Sequence, residues 1–251
     1  MICFKTCFVL FLVMIKCVIF DFGDTLVNSS ETDKTVFNAY MEKIHSLFNN
    51  KFSMDEIIKA KEETEIEYRK LDNRIRLSDA PIFESIFLEK LGEKPDKNLG
   101  KLIASAYWDT KLEKVGLFPT TKETLEYLKK QGLILCVITN TKTDTNRKIA
   151  KKLGILEYFD YFIMSHEFGS IKSELKIFHH LLEQINKKTK ILPEECLMVG
   201  NDLEEDTVAK KLGMKTAILT KEIHNKHPEK MIEPDYYIKK LIDLKEIIKK
   251  S

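Results

Sequence analysis

Asp21, Asp24 and Thr25 stand directly after the mostly apolar run of residues 14–20, in the stretch MIKCVIFDFGDTLV. A hydrophobic strand that ends in carboxylates places charge where burial is costly unless a counter-charge meets it. Three further clusters carry residues of the same kind. They are Thr139-Asn140, Lys172, and Gly200-Asn201-Asp202 with Asp206 shortly after. Gathered in one place, these would be carboxylates, a hydroxyl, an amide and one amine. Hard oxygen donors suit a divalent cation, and a cation and a lysine together neutralise a crowd of negative groups.

The surrounding pattern says what must position them. Residues 16–20 are mostly β-branched or aromatic and stop at a Gly-containing turn, which predicts a buried strand. From about residue 30 to residue 114 the texture changes. Val36, Tyr40, Ile44, Leu47, Ile57, Leu71, Ile86 and Leu91 recur at helical spacing without strand-like alternation, which predicts about four helices. LGEKPDKNLG reads as the loop before the last of them, and Pro119 closes the block. Beyond it, TKETLEYLKKQG reads as a helix, LILCVIT as a strand, TDTNRKIAKKLGI as a helix and YFDYFIMS as a short strand. ELKIFHHLLEQINKK is a helix, ECLMVG a strand, LEEDTVAKKLG a helix, KTAILT a strand, and PDYYIKKLIDLKEIIKK a last strand and helix.

Strands alternating with helices predict right-handed βαβ crossovers. The expected fold class is therefore α/β, a doubly wound, mainly parallel sheet with an all-helical insertion after the first strand. The expected division is an extension at 1–13, an α/β core at 14–29 and 115–251, and a helical domain at 30–114. In such sheets ligands bind outside the carboxyl ends of the strands. Every cluster named above falls at a predicted strand end or in the loop that follows one.

The bulk properties exclude several classes. With 251 residues, 43% hydrophobic and 32% charged, the chain has the composition of a globular protein. A net charge of +2 argues for neither nucleic acid nor a membrane surface as partner. The cysteines, Cys3, Cys7, Cys17, Cys136 and Cys196, are odd in number and suit neither a disulfide framework nor a zinc site. Buried free thiols in a reducing cytoplasm are the expectation. The N-terminal MICFKTCFVLFLV is apolar, but its uninterrupted run, residues 7–15, is too short to span a membrane, and no small-residue cleavage site follows. We expect Met14 to be the native start.

Four motifs in order carry a family resemblance. VIFDFGDTLV resembles the first motif of the haloacid dehalogenase-like hydrolases, a strand ending in Asp-x-x-x-Thr. LCVITNT resembles the second, IKSELKIF the third, with its lysine, and LMVGNDLEEDTVAKKLGM the fourth, with its acidic residues. The resemblance extends over nearly everything from Met14 on. It points to the phosphatase branch with a helical cap and to a small phosphorylated metabolite as substrate. It implies that Asp21 attacks phosphorus and forms an aspartyl-phosphate. It implies Mg²⁺ as cofactor, held by Asp21 and the backbone carbonyl of Gly23. Thr139 would hold phosphate oxygens, with Thr25 and Asn140 beside it. Lys172 would offset the charge of Asp21 and of the transferring group. Asn140 has a second reading, as a turn residue.

Two positions depart from the family pattern. Gly23 stands where most family phosphatases have an Asp that protonates the leaving oxygen, so leaving groups of low pKa should be preferred. Asn201 stands where a metal-binding Asp is usual, which leaves Asp202, Asp206 or the Asn201 carbonyl to coordinate. The alternatives are therefore a haloacid dehalogenase-type or phosphonate-cleaving hydrolase, or a non-catalytic member that binds a phospho-ligand. Within the helical block, Arg69, Arg74 and Arg76 fall together in a chain with few arginines. Arg74 and Arg76 are candidates to read an anionic group on the substrate, against the reading of a solvated helix face. Tyr107 and Trp108 are expected to pack helices, with the lining of a substrate pocket as the alternative. Glu204 and Glu205 are read as charges that favour a helix start.

Overall fold

The structure is a computed structural model that describes residues 14–71, 82–141, 143–221, 223 and 231–250, with the backbone alone at 30–33. The extension at 1–13, with Cys3 and Cys7, lies outside the described residues, as do Arg74 and Arg76. Six strands form one parallel sheet: β1 (Cys17–Phe20), β2 (Ile134–Thr139), β3 (Tyr161–Met164), β4 (Cys196–Gly200), β5 (Lys215–Leu219) and β6 (Tyr236–Ile238), in the order β3-β2-β1-β4-β5-β6. The chain winds from β1 through β2 to β3 on one side, then returns past β1 to build β4, β5 and β6 on the other. β1 is thus where the strand order reverses, and its carboxyl end opens into a crevice. Phe20 is aligned with Val137 on β2 and Val199 on β4, so the ends of the three strands come level.

These segments are strands because both faces of the sheet are covered, which rewards continuous apolar runs. Alternate residues point to opposite faces. Val18, Phe20, Val137 and Leu197 pack on one face with Leu125 and Leu128 of α5 (Thr121–Lys130) and Ile149 of α6 (Thr145–Lys152). Cys17, Ile19, Cys136, Ile138 and Met198 pack on the other with Ile177, Phe178 and Leu181 of α8 (Lys176–Asn186). Cys17, Cys136 and Cys196 are free and buried, and the first two sulfurs lie 3.8 Å apart. The short helix α7 (Ser165–Phe168) follows β3, and α9 (Leu244–Lys250) ends the described chain.

Between β1 and α5 lie α1 (Ser29–Leu47), α2 (Met54–Arg69), α3 (Ile82–Lys90) and α4 (Lys97–Lys114). They share an apolar cluster of their own, including Tyr40, Met41, Ile44, Ile57, Phe87, Leu88 and Ile103. Their starts are chemically marked. The Ser53 hydroxyl accepts the Glu56 N–H while the Glu56 carboxylate accepts the Ser53 N–H, a capping box, and Asp96 accepts the Leu99 N–H at 2.7 Å. The two passages to this segment run side by side. Asn28 donates its N–H to the Gly116 carbonyl at 3.0 Å and accepts the Gly116 N–H on its side chain at 2.9 Å.

One element differs from expectation. Residues 203–213 were expected as an α-helix, but only Thr207–Leu212 is helical, as a 3-10 turn. Side chains take the N–H groups that would start a helix. Asp202 Oδ1 accepts from Glu204 and Glu205 (2.8 and 2.9 Å), and Asp206 Oδ2 accepts from Asn201 and Asp202 (3.0 and 2.9 Å).

Ile44 is fully buried in the helical cluster. Ile44→Ala should cost roughly 2–5 kcal/mol of stability, read as a lower urea midpoint.

Candidate active site

The site begins where β1 stops. The Asp21 N–H still donates to Val199 on β4 at 2.8 Å, so the residue is held at the sheet edge. The chain then turns tightly. Leu26 and Val27 both donate to the Phe22 carbonyl, and Asp24 donates to Val27. This turn drives Phe22, Leu26 and Val27 into the core and leaves Thr25 buried beneath Asp21. Asp24 takes the left-handed conformation the turn requires, φ 55°, a region Asp tolerates better than most residues. Thr25 Oγ1 makes long contacts of 3.4 Å to Asp21 Oδ2 and 3.3 Å to Asn201 Oδ1, so those two oxygens converge.

Lys172 enters from the loop after β3. Its side chain is only 3% exposed. Nζ donates to Asp21 Oδ1 at 2.7 Å and to Asp206 Oδ1 at 2.6 Å. The two carboxylates outweigh the cost of burying the ammonium and hold its pKa above the usual lysine range. Asp206 is fully buried, with one oxygen on Lys172 and the other on two backbone N–H groups. It therefore stands as the anchor of Lys172 and does not line the cleft; of the three alternatives for a metal ligand, Asn201 and Asp202 do. Gly200 makes this possible: a Cβ there would lie 2.0 Å from Asp206 Oδ2. Gly23 is different. A Cβ at position 23 would meet Ser29 Oγ at 3.4 Å, an ordinary contact, so the position has room for a side chain.

Thr139 ends β2 and is nearly fully buried. Its Oγ1 accepts from Asn146 Nδ2 at 3.0 Å, which leaves the hydroxyl proton to be donated elsewhere. Asn140 ties loops together. Its amide donates to Glu205 Oε2 at 2.9 Å and accepts the Lys172 N–H at 3.1 Å. Glu205 Oε2 also accepts the Ser173 N–H at 3.2 Å. Burial raises the Glu205 pKa, offset in part by Lys172 and the Asn140 bond. Asn146 and Glu205 were not foreseen. Asn146 carries no signal beyond its place in the next helix, and a Glu near a predicted helix start has an ordinary explanation.

A cleft of about 620 Å³ opens on these groups. Asp21, Gly23, Thr139, Asn140, Lys172 and Asp202 line its floor, while Tyr40, Lys61, Phe83, Tyr107, Trp108 and Lys111 come from the helical segment. Tyr107 and Trp108 thus line the pocket as well as packing edge to face, with centroids 4.9 Å apart. Among the described residues no group of three or more His, Cys, Asp or Glu side chains is arranged to hold a metal ion, and no helix is long and apolar enough to cross a membrane. The oxygen donors around Asp21 that line the cleft include the Asp21 carboxylate, the Asn201 amide oxygen, the half-buried Asp202 and the Gly23 carbonyl. They are all hard donors, and they fit Mg²⁺ rather than a softer metal.

The family model of haloacid dehalogenase-like hydrolases matches residues 15–213. The chain belongs to this family. It is 32% identical over 237 residues, 94% of this chain and 98% of the other, to a glyceraldehyde 3-phosphate phosphatase of Methanocaldococcus jannaschii. It is 33% identical over 117 residues, 46% of this chain and 47% of the other, to a ribulose-1,5-bisphosphate 5-phosphatase of Halopiger xanaduensis. The chain thus spans about half the length of this second relative. Among solved structures it resembles the HAD-hydrolase YfnB of Bacillus subtilis, a structure with magnesium bound. The TM-score is 0.69 at 20% identity, over 94% of this chain and 99% of that one. At that identity the likeness speaks for the fold alone.

Gly200→Ala should force Asp206 aside, at a cost of roughly 1–3 kcal/mol, read by thermal unfolding. Asp206→Ala should cost more, roughly 3–5 kcal/mol, because it breaks a buried ion pair. Lys172 also sets a pH expectation. A raised lysine pKa gives stability that is whole below the unfolded value of about 10.4 and lost as pH rises through the folded value. A stability profile should therefore show no alkaline fall attributable to Lys172 below about pH 10.

Proposed function

We propose that the chain is a Mg²⁺-dependent phosphatase of small phosphorylated metabolites, working through a covalent phosphate on Asp21. The observation that carries this is the Lys172 ammonium clamped between Asp21 and Asp206 at the carboxyl end of the central strand. Lys172 pins Asp21 Oδ1 and leaves Oδ2, which has only the long Thr25 contact, as the attacking oxygen. The attack forms the Oδ2–P bond as the ester P–O bond breaks, and the leaving oxygen takes its proton from solvent. Water then hydrolyses the aspartyl-phosphate, releasing phosphate and restoring Asp21. The Thr139 hydroxyl donates to a phosphate oxygen, and Lys172 balances the negative charge of both partners. Asp21, the Gly23 carbonyl, Asp202 and the Asn201 amide oxygen would hold Mg²⁺, which supplies positive charge next to the phosphate.

The helical segment acts as a cap in this reading. Its side chains wall the cleft over Asp21 and limit its size, which suits small substrates. The relatives named above act on sugar phosphates of this size, and a cytoplasmic setting fits both them and the buried free thiols. The rival reading, a dehalogenase-type hydrolase, draws on Gly23 and Asn201, and it needs no metal.

Hydrolysis of p-nitrophenyl phosphate separates them. We expect turnover with Mg²⁺, its loss in EDTA, and its loss in Asp21→Asn. Turnover of 2-chloropropionate that is indifferent to EDTA would overturn the phosphatase reading. With no acid at position 23, the aryl ester should be cleaved faster than glycerol 3-phosphate. Gly23→Asp, for which there is room, should raise the alkyl rate by up to roughly 10²–10⁴-fold and the aryl rate much less. Equal wild-type rates on the two esters would remove the leaving-group argument.

A further inference from the structure

The helical wall of the cleft carries its own charge pattern. α4 presents Ala104, Tyr107, Trp108 and Lys111, which are spaced i, i+3, i+4 and i+7 and so form one stripe along the helix. α2 presents Lys61 and Glu65, one turn apart. Lys61 is already satisfied. It is ion-paired to Glu65 and lies 5.2 Å from the centroid of the Phe37 ring. Lys172 is satisfied by two carboxylates. Lys111 is half-buried and lies 5.9 Å from the centroid of the Trp108 ring; among the described residues no carboxylate pairs with it. The cleft therefore has a cation on its wall that no carboxylate among the described residues neutralises. The ring beside it is braced, since Trp108 packs on Tyr107 and Tyr107 on Tyr40.

We propose that Lys111 meets a second anionic group on the substrate, so that the preferred esters carry a carboxylate or a further phosphate beyond the phosphate that is removed. This rests on the phosphatase reading and deepens it. The relatives' names do not decide the point. Glyceraldehyde 3-phosphate ends in a neutral aldehyde, and ribulose 1,5-bisphosphate ends in a second phosphate. A lysine with no carboxylate partner among the described residues gains most from an anionic oxygen, because a charge-assisted hydrogen bond in a sheltered cleft outweighs a neutral one about twofold. The competing role for Lys111 is structural. It sits in the last turn of α4, where a cation favours the helix carbonyls. That role would stabilise the helix and would not discriminate between substrates. Lys114 shares the last turn, is exposed and does not line the cleft, so it serves as the control.

The test uses paired esters of matched skeleton: 3-phosphoglycerate against glycerol 3-phosphate, and ribulose 1,5-bisphosphate against ribulose 5-phosphate. Wild type should favour the doubly anionic member of at least one pair by roughly tenfold to a hundredfold in kcat/KM. The first pair reports a carboxylate and the second a phosphate. Lys111→Met should bring that ratio toward one, chiefly through KM, and Lys114→Met should keep it. A wild-type ratio near one in both pairs would overturn the proposal, as would a preference that survives Lys111→Met. If wild type cleaves p-nitrophenyl phosphate yet shows either of those results, the phosphatase reading stands and this inference alone falls. If no phosphate ester is cleaved, both fall.

Discussion

One ammonium between two carboxylates organises this protein. Lys172, Asp21 and Asp206 are all buried, and together they carry one negative charge more than they neutralise. A buried cluster of this kind is costly unless every member is hydrogen-bonded. Asp206 meets that condition with two backbone N–H groups and Lys172, and Lys172 meets it with two carboxylates. Asp21 does not: its second oxygen has only a long contact from Thr25. The under-used oxygen falls on Asp21, the one carboxylate of the pair that lines the cleft. That asymmetry is what the proposed nucleophilic role of Asp21 draws on.

The fold serves this cluster in specific ways. The alignment of β1, β2 and β4 brings Asp21, Thr139 and Asn201 to one level. The absence of a Cβ at Gly200 lets Asp206 approach the backbone. Glu205 then acts as a tie between loops, taking the Asn140 amide from beyond β2 and the Ser173 N–H beside Lys172. Three loops that share no strand are bound together by side chains, so the position of the Lys172 backbone depends on residues from each.

The helical segment supplies a wall of the cleft that is built separately from its floor. Its core is separate from the two clusters that sandwich the sheet. Substitutions there can change what the wall presents to the cleft without moving the Lys172 cluster. Lys61 and Lys111 both line the cleft, but Lys61 is neutralised within its own helix, whereas Lys111 has no carboxylate partner among the described residues.

Much of this was legible in the residues themselves. Apolar runs such as CVIF and ECLMVG mark buried parallel strands because both faces of the sheet are covered, and the helical block announced itself by its spacing. Asp21, Thr139 and Lys172 could be named because strand ends in a doubly wound sheet converge. What the chain alone did not disclose is how each carboxylate would be used. Asp202, Glu205 and Asp206 lie within one turn of each other in sequence, and all three resemble metal ligands or helix-start charges equally well. Only the packing distinguishes them: Asp202 caps a turn, Glu205 joins loops, and Asp206 anchors the lysine. Sequence pattern determines which groups reach the site. The direction in which each oxygen points depends on backbone N–H groups and partners brought from distant segments, and that is decided in three dimensions.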